Sequence, residues 1–262
     1  MKNKLTLAVL VILTTHFFFA CNTEKSNQEA DNNTLVLETL KIERKAGPDC
    51  DKPDSLRMNC VEVNFLYPSL KTGPDALKTA IETWSKDFMT SLVAFAEEPD
   101  NMPALEEAIQ NFFNMHDESV RDFPDGPAYF IAETKDTVLL NDGKYLTLQM
   151  DGYSYAGGAH PNSTSTVATW DVTAAQRIKI EDIVTDLSAL KQMAERKFRE
   201  VKAEAFREGF DFDEIFPFKL ADNSGLVKDG LYFCYVPYEV GPYALGYTEF
   251  VIPFDEIKQI LK

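Results

Sequence analysis

Histidine and cysteine are scarce in this chain of 262 residues, which has three of the first and four of the second. None of the histidines belongs to a His-Glu-x-x-His pair, and the sequence has neither a Gly-x-Ser-x-Gly elbow nor a glycine-rich phosphate loop. The common zinc-hydrolase, serine-hydrolase and nucleotide-binding signatures are therefore excluded. Basic residues are outnumbered by acidic ones, 26 to 42, which leaves a net charge of −16. Such a surface repels phosphate, so nucleic acid is not expected as a partner. Beyond residue 20 no apolar run approaches the roughly 18 residues that a membrane helix needs. Hydrophobic residues still make up 45% of the chain, enough to bury a core, which rules out a disordered protein.

The one long apolar run is at the start. Lys2 and Lys4 form a short positive region, and residues 5–20 are apolar apart from Thr6, Thr14, Thr15 and His16. This is the pattern of a secretory leader. It ends in Phe18-Phe19-Ala20-Cys21, a small residue immediately before a cysteine. That junction resembles the lipobox of bacterial lipoproteins, with bulkier residues at 18 and 19. The resemblance implies cleavage after residue 20 and acylation of Cys21, with each buried CH₂ contributing about 0.8 kcal/mol to membrane anchoring. A plain secretory peptide cut near Ala20 is the alternative. Residues 21–33 are polar and read as a flexible tether. The expected location is the cell envelope, with the chain lipid-anchored to the outer membrane and facing the periplasm or the surface.

Cys50 and Cys60 bracket a loop rich in proline, aspartate and lysine. In an oxidising envelope they are expected to form a disulfide, since two thiols with no neighbouring histidine are too few for a metal. Cys234 lies in the apolar run 231–236 and reads as a buried free thiol.

Val61, Val63, Phe65 and Tyr67 alternate with Glu62, Asn64 and Leu66, as in a half-buried strand that Pro68 would end. Leu35, Leu37 and Ile42 mark an earlier strand. Pro74 opens a helix whose buried stripe is Leu77, Ile81, Trp84, Phe88 and Leu92, and Pro99 would break it. A second helix starts at Pro103 and carries Leu105, Ile109, Phe112, Phe113 and His116 on one side. His116 reads there as a buried, hydrogen-bonded residue. After residue 127 the period changes to two. Strands 129–140 and 144–155 flank Asn141-Asp142-Gly143, a hairpin turn. Further strands are expected at 163–172, 178–180, 231–238 and 247–253. A helix is expected at 187–206, and Asp255 is expected to cap a last one.

Helices and strands do not alternate regularly, so the expected class is α+β: antiparallel sheets with helices packed on one face, in two intimately packed halves. The seam is placed at Gly157-Gly158, giving domains at 34–157 and 158–262.

Two segments stand apart from this scaffold. In residues 151–162, Tyr153 and Tyr155 share a strand face, and Gly157-Gly158 lead to His160 and Pro161. His160 could be a general base on a glycan or peptidoglycan, a binding contact, or the support of a turn. In residues 237–247, Tyr238, Glu239, Pro242 and Tyr243 lie between two strands. Tyrosine is amphipathic and loses little entropy on ordering, which suits recognition. A tight strand crossover would use the same residues. Asp211, Asp213 and Glu214 form an acidic group without the spacing of a calcium loop and read as a solvated turn. No metal or cofactor is expected.

Tyr-x-Tyr-x-Gly-Gly-Ala-His-Pro at 153–161, Trp170-Asp171-Val172 with 178–183, and the run from Gly230 through Ala244 together resemble a family of bacterial envelope proteins. It comprises the extracytoplasmic half of the RsiV anti-sigma factor and the non-catalytic N-terminal region of the deacetylase PdaC. The resemblance spans roughly residues 35–256. It implies an α+β envelope module and, by likeness to RsiV, a receptor for lysozyme. It implies no deacetylase activity, because the similar region is the non-catalytic one. A lipid anchor in place of a transmembrane helix also sets direct signalling aside. Three functions are therefore expected: a binding protein for a cationic protein or a cell-wall glycan, an enzyme using His160, or a structural lipoprotein. The contacts expected for binding are Tyr153, Tyr155, His160, Tyr238, Glu239, Pro242 and Tyr243.

Overall fold

The computed structural model describes residues 34–94, 102–124, 126, 128–207 and 214–262. The expected leader, Cys21 and the tether lie outside the described residues, as do Pro99, Asp211 and Asp213. Among the described residues no helix is long and apolar enough to cross a membrane.

The strand order of the first sheet follows the chain. It runs β1 (Val36–Ala46), β2 (Asn59–Thr72), β3 (Ala128–Asn141), β4 (Tyr145–Ala156), β5 (Asn162–Asp171) and β6 (Gln176–Ile178). Every pairing is antiparallel except β2 with β3. That exception has a cause. Two helices, α1 (Asp75–Val93) and α2 (Leu105–Asp122), separate the two strands and carry the chain back to the end where β2 began. Pro68 does not end β2, as the sequence suggested. The strand continues to Thr72 with Pro68 opposite Thr39. Pairing with β3 stops at Phe65, so only one neighbour remains to be served at the proline. Gly157 and Gly158, the expected seam, form the turn between β4 and β5 within this sheet, with φ of 82° and 94°.

The alternation read in β2 sends Val61, Val63 and Phe65 inward, all fully buried. They meet the α1 stripe of Leu77, Ile81, Trp84, Phe88 and Leu92 and the α2 residues Ile109 and Phe112. Trp84 packs edge-on to Trp170 of β5 at 5.2 Å, and its indole N–H donates to Thr166 Oγ1 at 3.2 Å. Pro74 is the residue before the first turn of α1, extended, with its carbonyl accepting from Lys78 N at 3.0 Å. His116 is buried as read, and its Nε2–H donates to the Ala128 carbonyl at 2.9 Å. The Cys50–Cys60 disulfide is present.

The second sheet is β7 (Asn223–Val227), β8 (Gly230–Tyr235) and β9 (Thr248–Pro253). Before it the chain passes through α3 (Ile180–Ile183), α4 (Leu187–Val201) and α5 (Ala203–Arg207); α6 (Phe254–Ile257) follows β9. The expected single helix to residue 206 breaks at Lys202. Asp255 lies in the first turn of α6 and does not cap it, because Pro253 holds that position. Along β8, Leu231, Phe233 and Tyr235 pack with Leu190, Ala194 and Phe198 of α4. Tyr232 and Cys234 point the other way, onto Val167 of β5. Both faces of β8 are buried, so the layers run α1 and α2, first sheet, second sheet, α4. The two sheets approach closely at Gly225 of β7, where a Cβ would stand 2.8 Å from Thr169 Oγ1. All of this falls in one compact unit, Asn32–Lys262.

Candidate functional site

The register of the first sheet decides which polar side chains meet. Asn64 of β2 pairs with Glu133 of β3, Glu133 with Tyr153 of β4, and Tyr153 with Ser163 of β5. Paired residues share a face. The next row on the same face is Lys135, Asp151 and Ser165. This is the face that turns away from α1 and α2. Further along it, the second sheet covers Gln149, Val167 and Thr169. Tyr232 donates to Gln149 Oε1 at 3.0 Å, and the Leu226 amide donates to Thr169 Oγ1 at 3.1 Å. Where that cover stops, the first rows are left open. All of them but the buried Ser165 line, together with Tyr247 and Glu249, a groove of about 550 Å³.

Burial and acidic neighbours set the electrostatics of this region. The Tyr153 phenol is pushed up, first by burial and then by Glu133, Tyr243 and Tyr155. Tyr247 is pushed up much further by burial, with Asp151, Cys234 and Glu249 adding to it. Burial also raises the Cys234 thiol to about 12, helped by Glu249. Asp151 Oδ1 accepts from Gln149 Nε2 and from Ser165 Oγ, both at 2.8 Å, so one edge of that carboxylate is fixed.

The β4–β5 turn and the loop after β8 meet beside this groove. His160 stacks on Tyr243 with centroids 4.3 Å apart and planes 25° from parallel. Its Nδ1–H donates to the Pro161 carbonyl at 2.9 Å, which leaves Nε2 as an acceptor, 3.4 Å from the Tyr238 hydroxyl. Tyr238 and Tyr243 are 5.7 Å apart, so three rings form one patch. Tyr238 is 53% exposed and has a φ of 72°, a left-handed conformation that costs a non-glycine residue about 1–2 kcal/mol. Strain of this kind collects at functional positions.

The remaining expected contacts have other places. Glu239 turns inward with a side chain only 4% exposed, and its two oxygens accept the backbone N–H groups of Asp222 and Val236 at 2.8 and 3.1 Å. Burial raises its carboxyl, and the two amides and Lys219 oppose that shift. It shapes the loop from within. Pro242, half-buried, precedes a single 3-10 turn, Tyr243–Leu245. Tyr155 folds its hydroxyl back onto the Gly158 carbonyl at 3.1 Å and braces the β4–β5 turn. Tyr153 stands on the groove. From α4, the Lys202 ammonium donates to the carbonyls of Leu245 and Tyr247 at 2.8 and 2.7 Å, tying down the far side of the loop.

Sequence reasoning missed Glu133 and Glu249 as site residues, and named Asp151 and Tyr247 only as the start of one segment and the end of the other. Alternation alone places Asp151 beside Tyr153. Only strand register and the docking of β9 bring the others to them. Among the described residues there is no group of three or more His, Cys, Asp or Glu able to hold a metal ion.

The fold and this patch define an α+β module that presents aromatic loops at one end of two packed sheets. Residues 56–163 match the family described as deacetylase PdaC, and residues 178–255 match the protein family of unknown function DUF3298. The chain thus carries a PdaC-like region followed by a DUF3298-like one. Two solved DUF3298 family structures are similar to it. One, from Bacteroides fragilis, is 18% identical with a TM-score of 0.59, covering 88% of this chain and 95% of that one. The other, from Pseudomonas aeruginosa, is 19% identical with a TM-score of 0.62, covering 87% and 94%. No curated protein matches the sequence.

Proposed function

We propose that the chain is a lipid-anchored binding protein of the cell envelope, and that His160, Tyr238 and Tyr243 form its recognition surface for a cationic protein such as lysozyme. One observation carries this reading: two glycine- and proline-rich loops from different sheets converge on one exposed aromatic patch, with a strained tyrosine at its edge. Such rings offer large, rigid contact area at low entropic cost. The net charge of −16 favours encounter with a basic partner. The contacts of His160 suit presentation better than proton transfer, because its two nitrogens engage a backbone carbonyl and a phenol.

A second reading, a cell-wall glycan as ligand, is favoured by the near-parallel stack of His160 on Tyr243, since flat aromatic faces also suit sugar rings. Calorimetry of the full chain with lysozyme, at about 50 mM and about 300 mM salt, tests the first reading. Binding that persists at the higher salt supports it. Binding that disappears there is charge attraction alone and overturns it. Binding of peptidoglycan fragments in place of lysozyme selects the second reading.

A further inference from the structure

The groove beside the aromatic patch is part of the first sheet's face that the second sheet leaves uncovered. Its lining carries three carboxylates against one ammonium. Glu133 and Asp151 stand on the sheet, and Glu249 faces them from β9. At one side the amide oxygen of Asn64 is buried without a hydrogen-bond partner. A buried acceptor with no donor is unfavourable, so its retention calls for an explanation. Tyr153 and Tyr247 add two aromatic rings to the lining, and ring faces attract cations.

One cation is already there. Lys135 places its ammonium 3.4 Å from Asp151 Oδ2. Its side chain is 71% exposed, so little holds it in place. It stands where a partner's ammonium would sit.

From this complementarity we propose that the groove is a subsite for a basic side chain, lysine or arginine, projecting from a bound protein. The proposal rests on the reading that the partner is a cationic protein, and it adds which part of the surface selects it. A lysine or arginine stem lies along the tyrosine rings, its charged head meets Glu133, Asp151 and Glu249, and Lys135 swings out to solvent. Asn64, whose amide oxygen is closed to solvent in the free protein, turns toward the groove to provide the acceptor at the inner side.

The test is calorimetric titration of the full chain with tetralysine, with tetraglycine as the neutral control. Tetralysine binds and tetraglycine does not. Glu133→Gln and Glu249→Gln each weaken binding by about three- to fivefold, as expected for the loss of one partly exposed charge pair. Lys135→Ala strengthens it, because a competing cation is gone. Asn64→Leu weakens it while leaving the melting temperature unchanged or higher. Glu118→Gln, an exposed carboxylate on α2, has no effect. If Glu118→Gln weakens binding as much as the groove variants do, or if tetralysine fails to bind, the proposal is overturned. Lysozyme binding that is lost in Tyr238→Ala yet unchanged in both glutamine variants of the groove also overturns it and leaves the aromatic patch standing. Tetralysine binding that obeys the groove variants, in a protein that does not bind lysozyme, keeps the subsite and removes lysozyme as its source.

Discussion

His160 and Tyr243 stack face to face at 4.3 Å although they come from turns of two different sheets. The contact exists only because the second sheet docks on the uncovered face of the first, so the patch reports the packing of the whole molecule. Yet Tyr238 at its rim is 53% exposed and contributes little to any core. Tyr238→Ala and Tyr243→Ala should therefore weaken partner binding by at least about tenfold, within the range for a central aromatic contact. Melting temperature should fall by no more than about 2 °C. Calorimetry and thermal melts on the same samples check this. A large loss of stability with intact binding would make the patch structural.

The left-handed backbone of Tyr238 allows a sharper version. Glycine adopts a φ of 72° without the steric penalty, so Tyr238→Gly should match or exceed the parent in stability, by up to about 1 kcal/mol. Binding should be lost as in the alanine variant. Urea melts of the two variants side by side show whether the strain is retained for contact with a partner.

Glu239 is the carboxylate that should shape the pH profile. Burial raises its pKa above the ordinary 4.5 in the folded protein. The folded state therefore keeps the proton to higher pH than the unfolded chain does. Its favourable contribution is complete below about pH 4.5 and declines as pH rises through the raised value. Glu239→Gln removes that dependence. It also replaces one of the two oxygens that accept from Asp222 and Val236 with a donor, which costs about 1–2 kcal/mol. The gap between parent and variant in urea melts should thus be widest at acidic pH and narrow toward neutrality. A gap that is flat across this window contradicts the assignment.

Local pattern made much of this fold legible. The α1 stripe, the Asn141-Asp142-Gly143 turn, the buried His116 and the Cys50–Cys60 pair all follow from spacing, turn chemistry or compartment. What was hidden depends on partners far along the chain. The parallel pairing of β2 with β3 is set by the return of two helices, and β7 is five residues with a glycine that only sheet packing explains. The break at Lys202 coincides with its ammonium reaching the carbonyls of Leu245 and Tyr247. The site divides in the same way. His160, Tyr238 and Tyr243 stood out singly because glycine and proline surround them, but their adjacency is tertiary. Glu133 and Glu249 gave no signal, since a carboxylate on a strand is ordinary until register sets it opposite a tyrosine.

The disulfide closes a loop with a sequence separation of 10. Loop-closure entropy for that length gives about 2–3 kcal/mol of stabilisation. The paired Cys50→Ala, Cys60→Ala variant should lose that much in urea melts. The parent should show the same loss when reduced.

Cys234 supplies a test of how well the two sheets are sealed. It is fully buried between them, its thiol is raised to about 12, and its sulfur is 3.7 Å from Glu249 Oε1. At pH 8 the thiol is overwhelmingly protonated, and the thiolate is the reactive form. Iodoacetamide should leave the folded chain unmodified at Cys234 over hours and label it within minutes in denaturant, as read by mass spectrometry. Glu249→Gln removes the nearest negative charge and lowers the thiol pKa, but it opens no path, so native labelling should still be negligible. Rapid labelling of that variant alone would mean that Glu249 holds the sheets together rather than facing the groove.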